Sequence, residues 1–266
     1  MLFSKLPIVF LSAIASEKNG STNSTIATYI LSHLDEMKYI GITEFANKCN
    51  VSSSSISRFC KEIGLENFSE LKSIISNIEF YEDKEEKSDI YSERMVSYAK
   101  SITDSIKQVS ASLPEKLMKE LLIDIHRYKR IATFGLMKAE TAALILQSDL
   151  LNYKKNIYTN LSYKEQMGFI EESSEDTLII IFTYTGSYFK YNDRRNYMNK
   201  KNIPKIWMIS GENEDEPHYI YKKITFSSPQ DYISHPYQLD FVATTLAQEY
   251  GYYISRIDKN ENEETT

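Results

Sequence analysis

The sequence predicts two domains of different class: an all-α domain that carries a helix-turn-helix, followed by an α/β domain with a parallel sheet of about five strands flanked by helices. Three observations predict this. Up to residue 77 the apolar residues recur at helical spacing in short segments closed by Ser, Asn and Gly. Beyond residue 130 continuous β-branched runs alternate with helical stretches. Between the two lies a charge run, YEDKEEKSD from Tyr81 to Asp89, that reads as a solvated helix or linker. The boundaries drawn are 1–77 for the first domain, 78–111 for a charged linker, 112–259 for the second domain and 260–266 for an acidic tail.

The 266 residues are 42% hydrophobic and 26% charged, with 8 Gly and 6 Pro, which excludes disordered and low-complexity classes. A net charge of −6 gives no global attraction to nucleic acid or to a membrane surface, so any DNA site must be local. Two cysteines, Cys49 and Cys60, and four scattered histidines supply neither a disulfide framework nor metal-ligand spacing, so no metal and no cofactor is expected.

Two readings of residues 1–15 stand side by side. A single Lys5, an apolar stretch and Ala13-Ile14-Ala15 have the outline of a leader, whereas Phe3, Leu6, Phe10 and Ala13 make one face of an amphipathic helix that Asn19-Gly20 would stop. The helix is the reading adopted, with a cytoplasmic location, and no stretch has the length to span a bilayer. A second helix around Ile26–Leu31 presents Ile26, Tyr29 and Ile30 and can be capped by Ser21 or Thr22. After Gly41, residues 42–49 place Ile42, Phe45, Ala46 and Cys49 on one face. The corner Asn50-Val51-Ser52 then opens a third helix that carries Ile56, Phe59, Cys60 and Ile63 inward and stops at Gly64.

Two short helices joined by a tight corner match a helix-turn-helix, whose second helix enters the major groove with its first residues at base edges. The DNA-facing candidates are therefore Thr43 on the first helix and Ser53, Ser54, Ser55, Ser57, Arg58 and Lys61 on the second. Hydroxyls and free amides at a helix start suit phosphate oxygens, and Arg58 suits a bidentate pair with guanine. The same four serines also read as a polar capping turn with no partner. Residues 1–80 hold seven Lys and Arg against eight Asp and Glu, a balance of −1. Binding by so neutral a domain calls for two copies presenting two recognition helices, with Lys48, Arg58, Lys61 and Lys72 converging on one face.

In the second half, strands are expected at Ile131–Phe134, Ile157–Tyr158, Leu178–Phe182, Ile206–Ile209 and Ile224–Phe226. Helices are expected at 139–151 and 188–200, with a final one carrying Leu239, Val242, Leu246, Tyr250 and Tyr253 inward.

The run ITEFANKCNVSSSSISRFCKEIG from Ile42 to Gly64, continued by NFSELK from Asn67 to Lys72, resembles the RpiR family of bacterial transcriptional regulators. The shared pattern is a helix, a Val-Ser corner, an Arg-Phe in the recognition helix, a Gly and a Phe-x-Glu-Leu-Lys-like helix. Members of that family join this domain to a C-terminal sugar isomerase (SIS) domain that senses phosphosugars, and the alternating second half agrees in order and length.

The resemblance implies a ligand site at the carboxyl ends of the parallel strands, where loops open onto helix starts. In the loop FGLMKAE, Phe134–Glu140, Gly135 is kept from a Gly-x-Gly-x-Ser-like turn, Met137 stands in place of the second glycine, and Lys138 replaces a hydroxyl. The loop FTYTGSY, Phe182–Tyr188, is similar to a Ser-x-Ser-Gly-x-Thr phosphosugar loop. There Thr183 and Thr185 stand for the serines, Gly186 is kept, Ser187 follows, and Tyr188 takes the place of the last Thr. The bland alternatives are an exposed lysine at a helix start and a strand-to-helix turn capped by Thr185 or Ser187.

The function expected from the resemblance is a DNA-binding regulator of carbohydrate metabolism genes, modulated by a sugar phosphate, acting as a homodimer or homotetramer on double-stranded DNA, with no membrane partner. A second domain that only dimerises is the alternative. A third class, a sugar-phosphate isomerase, would need a Glu–His acid/base pair, for which His235, Glu140 and Glu249 are the available groups. No catalysis is expected, because the first loop has lost a glycine and a DNA-binding domain is attached.

Overall fold

In the computed structural model the described residues are 5–78, 87–186, 188–191, 202–211, 218–229, 231 and 233–264. They form two units, the first from Met1–Lys84 with Asn160–Phe169 and Phe189–Met198, the second from Glu85–Thr159, Ile170–Tyr188 and Asn199–Thr266.

The first unit is helical: α1 Lys5–Ser16, α2 Thr22–Ser32, α3 Leu34–Met37, α4 Ile42–Lys48, α5 Ser53–Glu62 and α6 Phe68–Ser76. Each start has a local cause. Ser21 accepts the Ser24 N–H and so caps α2, Ser52 accepts the Ser55 N–H at 3.1 Å and caps α5, and Asn67 accepts the Glu70 N–H at 3.0 Å and caps α6. Glu70 returns a bond to the Glu66 N–H, so α6 opens in a reciprocal box. The apolar faces read from the sequence meet in one core, where Phe10, Ile26, Ile30, Phe45, Ile56, Phe59 and Leu71 have no exposed surface. Phe10 stacks on Phe59 at 6.1 Å and Phe45 on Phe68 at 5.5 Å. Residues 5–16 are thus a helix whose Phe10 is part of this core. Phe3 lies outside the described residues, and of Leu6 only the helical backbone is described.

The second unit contains α7 Tyr91–Ser112, α8 Glu115–Arg127, β1 Arg130–Phe134, α9 Lys138–Leu151, then, after α10 Tyr163–Glu172, β2 Thr177–Thr183, β3 Lys205–Ser210, β4 Lys222–Thr225 and α11 His235–Glu264. The four strands are all parallel in the order β1-β2-β3-β4. Every residue of β2 is buried, and since successive side chains point to opposite faces, both faces of the sheet are covered. About five strands were expected, and the ladder has four. Ile157–Tyr158 contributes a single parallel bridge beside β1, in which Tyr158 donates to the Ile131 carbonyl and accepts from the Thr133 N–H. Its pairing ends there, because Asn160 accepts the Ser162 N–H and turns the chain into α10.

Several spans differ from the expectation. The stretch 78–111 includes most of α7, whose Ser105 and Val109 are buried, and α11 runs through 260–264. Of the helix expected over 188–200, Tyr188–Tyr191 is a 3-10 turn and 192–200 lie outside the described residues.

Candidate functional site

The first candidate is the α4–α5 pair. Asn50, at φ 52°, takes the left-handed conformation that a corner requires and that Asn tolerates, and Ser52 then starts α5. With Ile56, Phe59 and Cys60 turned into the core, the opposite side of α5 presents Ser54, Arg58 and Lys61 exposed and Ser53, Ser55 and Ser57 half-buried; Thr43 is exposed on α4. Part of the hydroxyl set is used locally. Ser52 and Ser55 share a 3.0 Å hydrogen bond, and Ser57 donates to the Ser53 carbonyl at 3.1 Å. Ser54 is the serine most open to an outside partner.

Of the four cations expected to converge, two are engaged elsewhere. Lys48 is paired with Glu36, which holds the Glu36 carboxyl below and the Lys48 amine above their ordinary ranges. Lys72 is half-buried and donates to the Ile40 carbonyl at 2.9 Å, closing one end of the bundle. Arg58 and Lys61 make no ion pair among the described residues, so the positive charge on the outer side of α5 reduces to these two. The sequence signal missed for Lys48 is Glu36, twelve residues away. Cys49 and Cys60 are buried thiols that burial pushes up to about 11 and about 12, so neither is poised for reaction.

The second candidate lies at the carboxyl ends of β1, β2 and β3. Phe134 pairs with Ile181 and Phe182 with Ile209, so the loops after these strands leave the same edge of the sheet about 4.8 Å apart. Thus Gly135 and Lys138 come beside Thr183, Thr185 and Gly186, as expected, while Ser187 lies outside the described residues. A Cβ on Gly135 would stand 2.3 Å from the Ala139 carbonyl oxygen, so this turn into α9 admits only glycine. Met137, at φ 53° and ψ −114°, holds the conformation glycine favours, and the turn is closed by the Ala139 N–H donating to the Leu136 carbonyl at 3.1 Å. Gly186 has φ 74° and is buried.

Sequence reasoning missed Tyr184. Its side chain is buried, its ring lies 4.5 Å from that of His235, and its hydroxyl is 2.6 Å from Ser228 Oγ. Its carbonyl accepts from the Gly211 N–H at 3.1 Å and from Ser210 Oγ at 3.3 Å. Ser210 and Gly211, directly after the apolar run of β3, were the available signal for a third loop at this edge. His235, read as a loop residue, is the buried first residue of α11. Glu140, read as solvent-facing, is half-buried: burial pushes its carboxyl up to about 7, and Oε1 has no hydrogen-bond partner. Glu249 is exposed. Among the described residues no group of three His, Cys, Asp or Glu is placed to hold a metal ion, and no helix is long and apolar enough to cross a membrane.

Residues 9–78 match the model of the helix-turn-helix domain, rpiR family. The N-terminal domain is an rpiR-type helix-turn-helix domain. It takes in α2 to α6 and most of α1, with the corner at Asn50–Ser52 inside the match. Over 63 residues the chain is 43% identical to an uncharacterized HTH-type transcriptional regulator of Caldanaerobacter subterraneus subsp. tengcongensis, a match that spans 23% of this chain and 22% of that relative. A second uncharacterized HTH-type transcriptional regulator, from Providencia stuartii, is 24% identical over 214 residues, 75% of this chain and 72% of the relative. Among solved structures, the Vibrio vulnificus NanR protein complexed with ManNAc-6P is similar over 97% of both chains, with a TM-score of 0.50 and 14% identity. The c3406 protein of E. coli CFT073, solved in complex with a sugar phosphate, covers 64% of this chain and 94% of its own, with a TM-score of 0.53 and 9% identity. At these identities the likeness is one of fold: the rpiR-type domain is followed by an α/β domain of the kind the SIS resemblance implied.

Proposed function

We propose that this chain is a DNA-binding transcriptional regulator of carbohydrate metabolism genes whose affinity for its operator is set by a phosphorylated sugar at the strand-end loops of the second unit. The observation that carries the reading is α5. It is a recognition helix capped by Ser52 that turns Ser54, Arg58 and Lys61 outward, with both cations free of ion pairs among the described residues, inside an rpiR-type domain. Arg58 reads a guanine, Ser53–Ser57 and Thr43 position the backbone, and a homodimer or homotetramer in the cytoplasm supplies the paired half-sites that a near-neutral domain needs.

The effector reading rests on Thr183, Thr185 and Gly186 leaving the same sheet edge as Gly135 and Lys138, and on ligands of this class in the two structures of similar fold. Amides and hydroxyls of the second loop, with Ser187, cradle a phosphate, and Lys138 adds a point charge. The protein binds and does not turn over its ligand: its one buried imidazole, His235, is packed on Tyr184. Met137 in a glycine's conformation favours a second reading, in which this domain only dimerises.

Genomic-fragment selection with the whole protein at one stated near-physiological salt concentration, beside Arg58→Ala, tests the regulator. A shared, roughly palindromic site lost in the variant supports it, and no enrichment over the variant rejects it. A thermal-shift series with sugar phosphates separates the two readings of the second domain, since a ligand that prefers the native state raises Tm. A response abolished by Thr185→Ala supports an effector site, and no response to any sugar phosphate leaves the dimerising role. Turnover of a ketose or aldose phosphate that His235→Ala removes would replace both with an isomerase.

A further inference from the structure

Within the first unit the recognition helix is not open along its whole length. Residues 160–169 cluster with this unit. Ser12 Oγ on α1 donates to the Leu161 carbonyl at 3.1 Å, and Lys164 Nζ lies 3.3 Å from Glu62 Oε1 on α5. Glu62 is held from its other side by Asn23, whose amide also bonds Glu17, so the segment is attached to a network spanning α1, α2 and α5. Between them is a cleft of about 490 Å³ lined by Arg58 and Glu62 of α5 and by Asn160, Ser162, Lys164 and Glu165. The residue that reads DNA thus forms a wall of the cleft that this segment closes.

Geometry and charge act in the same direction here. The major groove is about 12 Å wide and a helix with its side chains is about 10–12 Å across, so α5 fills the groove and leaves no space for a second stretch of backbone on its Arg58 flank. Glu17, Glu62 and Glu165 outnumber Arg58 and Lys164 in the cleft, which repels a phosphate brought to that flank. We propose that residues 160–165 are an autoinhibitory strap, held by the Ser12–Leu161 bond and the Lys164–Glu62 pair, that keeps α5 out of the major groove until it is released. The proposal rests on α5 being the DNA-reading helix.

The test uses the full chain and a pool of genomic fragments at one fixed salt concentration. The Ser12→Ala/Lys164→Gln double variant removes both fastenings, and Glu165→Gln, at an exposed position, lowers the negative charge without touching either. Melting curves confirm that each remains folded. Apparent affinity scales with the fraction of molecules in the competent form, so the double variant is expected to retain fragments about three- to tenfold more tightly than the parent. This is opposite in sign to what loss of a lysine does to DNA affinity by charge alone. Glu165→Gln gives a smaller gain, and Arg58→Ala introduced into the double variant abolishes the gain. Parent-level affinity in both variants, with Arg58→Ala still lowering it, overturns the strap and leaves α5 as the reading helix. A gain that survives Arg58→Ala overturns both.

Discussion

Gly135 and Ala139 are too close for any side chain to separate them: a Cβ on Gly135 would meet the Ala139 carbonyl oxygen at 2.3 Å and carbon at 2.5 Å. Both atoms belong to the backbone of α9, which no rotamer change relieves. Gly135→Ala is expected to cost about 3 kcal/mol or more, read as a lower urea midpoint. Met137, two residues on, is strained in the opposite sense. Met137→Gly removes about 1 kcal/mol of left-handed strain and gives back a similar amount in unfolded-chain entropy, so its midpoint stays close to the parent's.

Arg58→Ala is expected to leave stability within about 0.5 kcal/mol, because the side chain is exposed, and to remove sequence-selective DNA binding. Ser52→Ala acts through the helix start instead, costing about 1 kcal/mol of stability and weakening binding in proportion to fraying of α5. Thermal melts beside fragment retention separate the two effects.

At the opposite end of the sheet from the loops, Asp124 accepts from Lys205 Nζ at 2.8 Å and from Trp207 Nε1 at 2.8 Å, with the indole fully buried. Asp124→Ala strands a buried donor and a partly buried cation and is expected to cost about 3–5 kcal/mol. Asp124→Asn, which keeps an acceptor for the indole, is expected to cost clearly less. Denaturant titration of the two variants checks the order.

Glu140 makes stability depend on pH. Its folded pKa of about 7 lies above the ordinary 4.5, so the unfolded chain ionises first as pH rises. Its contribution is fully present below about pH 4.5 and is lost as pH rises through about 7. Glu140→Gln is expected to flatten that slope and to be more stable than the parent at pH 8. The gain is about 1–2 kcal/mol once screening of this half-exposed carboxyl by water is allowed for. Urea midpoints at pH 4.5 and pH 8 decide it, and a parallel offset at both pH values contradicts the assignment.

Much of the architecture was legible because it rests on local rules. The serine before Ser53, the Asn-Val-Ser corner and the helical spacing of Ile56, Phe59 and Cys60 place α5 without reference to distant residues. The seven buried residues of β2 read as a parallel strand because both of its faces are covered. Ile157–Tyr158 was overread as a strand, since a two-residue apolar run cannot state how long its pairing continues. Glu140 and His235 were misread as exposed because neither position on its helix reveals which element covers it.

The sequence by itself determined the elements, their order and the chemistry offered at the recognition helix and the two glycine loops, because caps, periodicity and turn residues act over a few neighbours. Only the tertiary structure decided which of those groups remain available. Lys48 and Lys72 are withdrawn by Glu36 and the Ile40 carbonyl, Tyr184 is buried against His235, and Leu161 and Lys164 are brought to Ser12 and Glu62 from well over a hundred residues and about a hundred residues away in the chain. Such pairings are set by packing of whole elements, and a side chain's charge and reach carry no information about which distant partner the fold delivers to it.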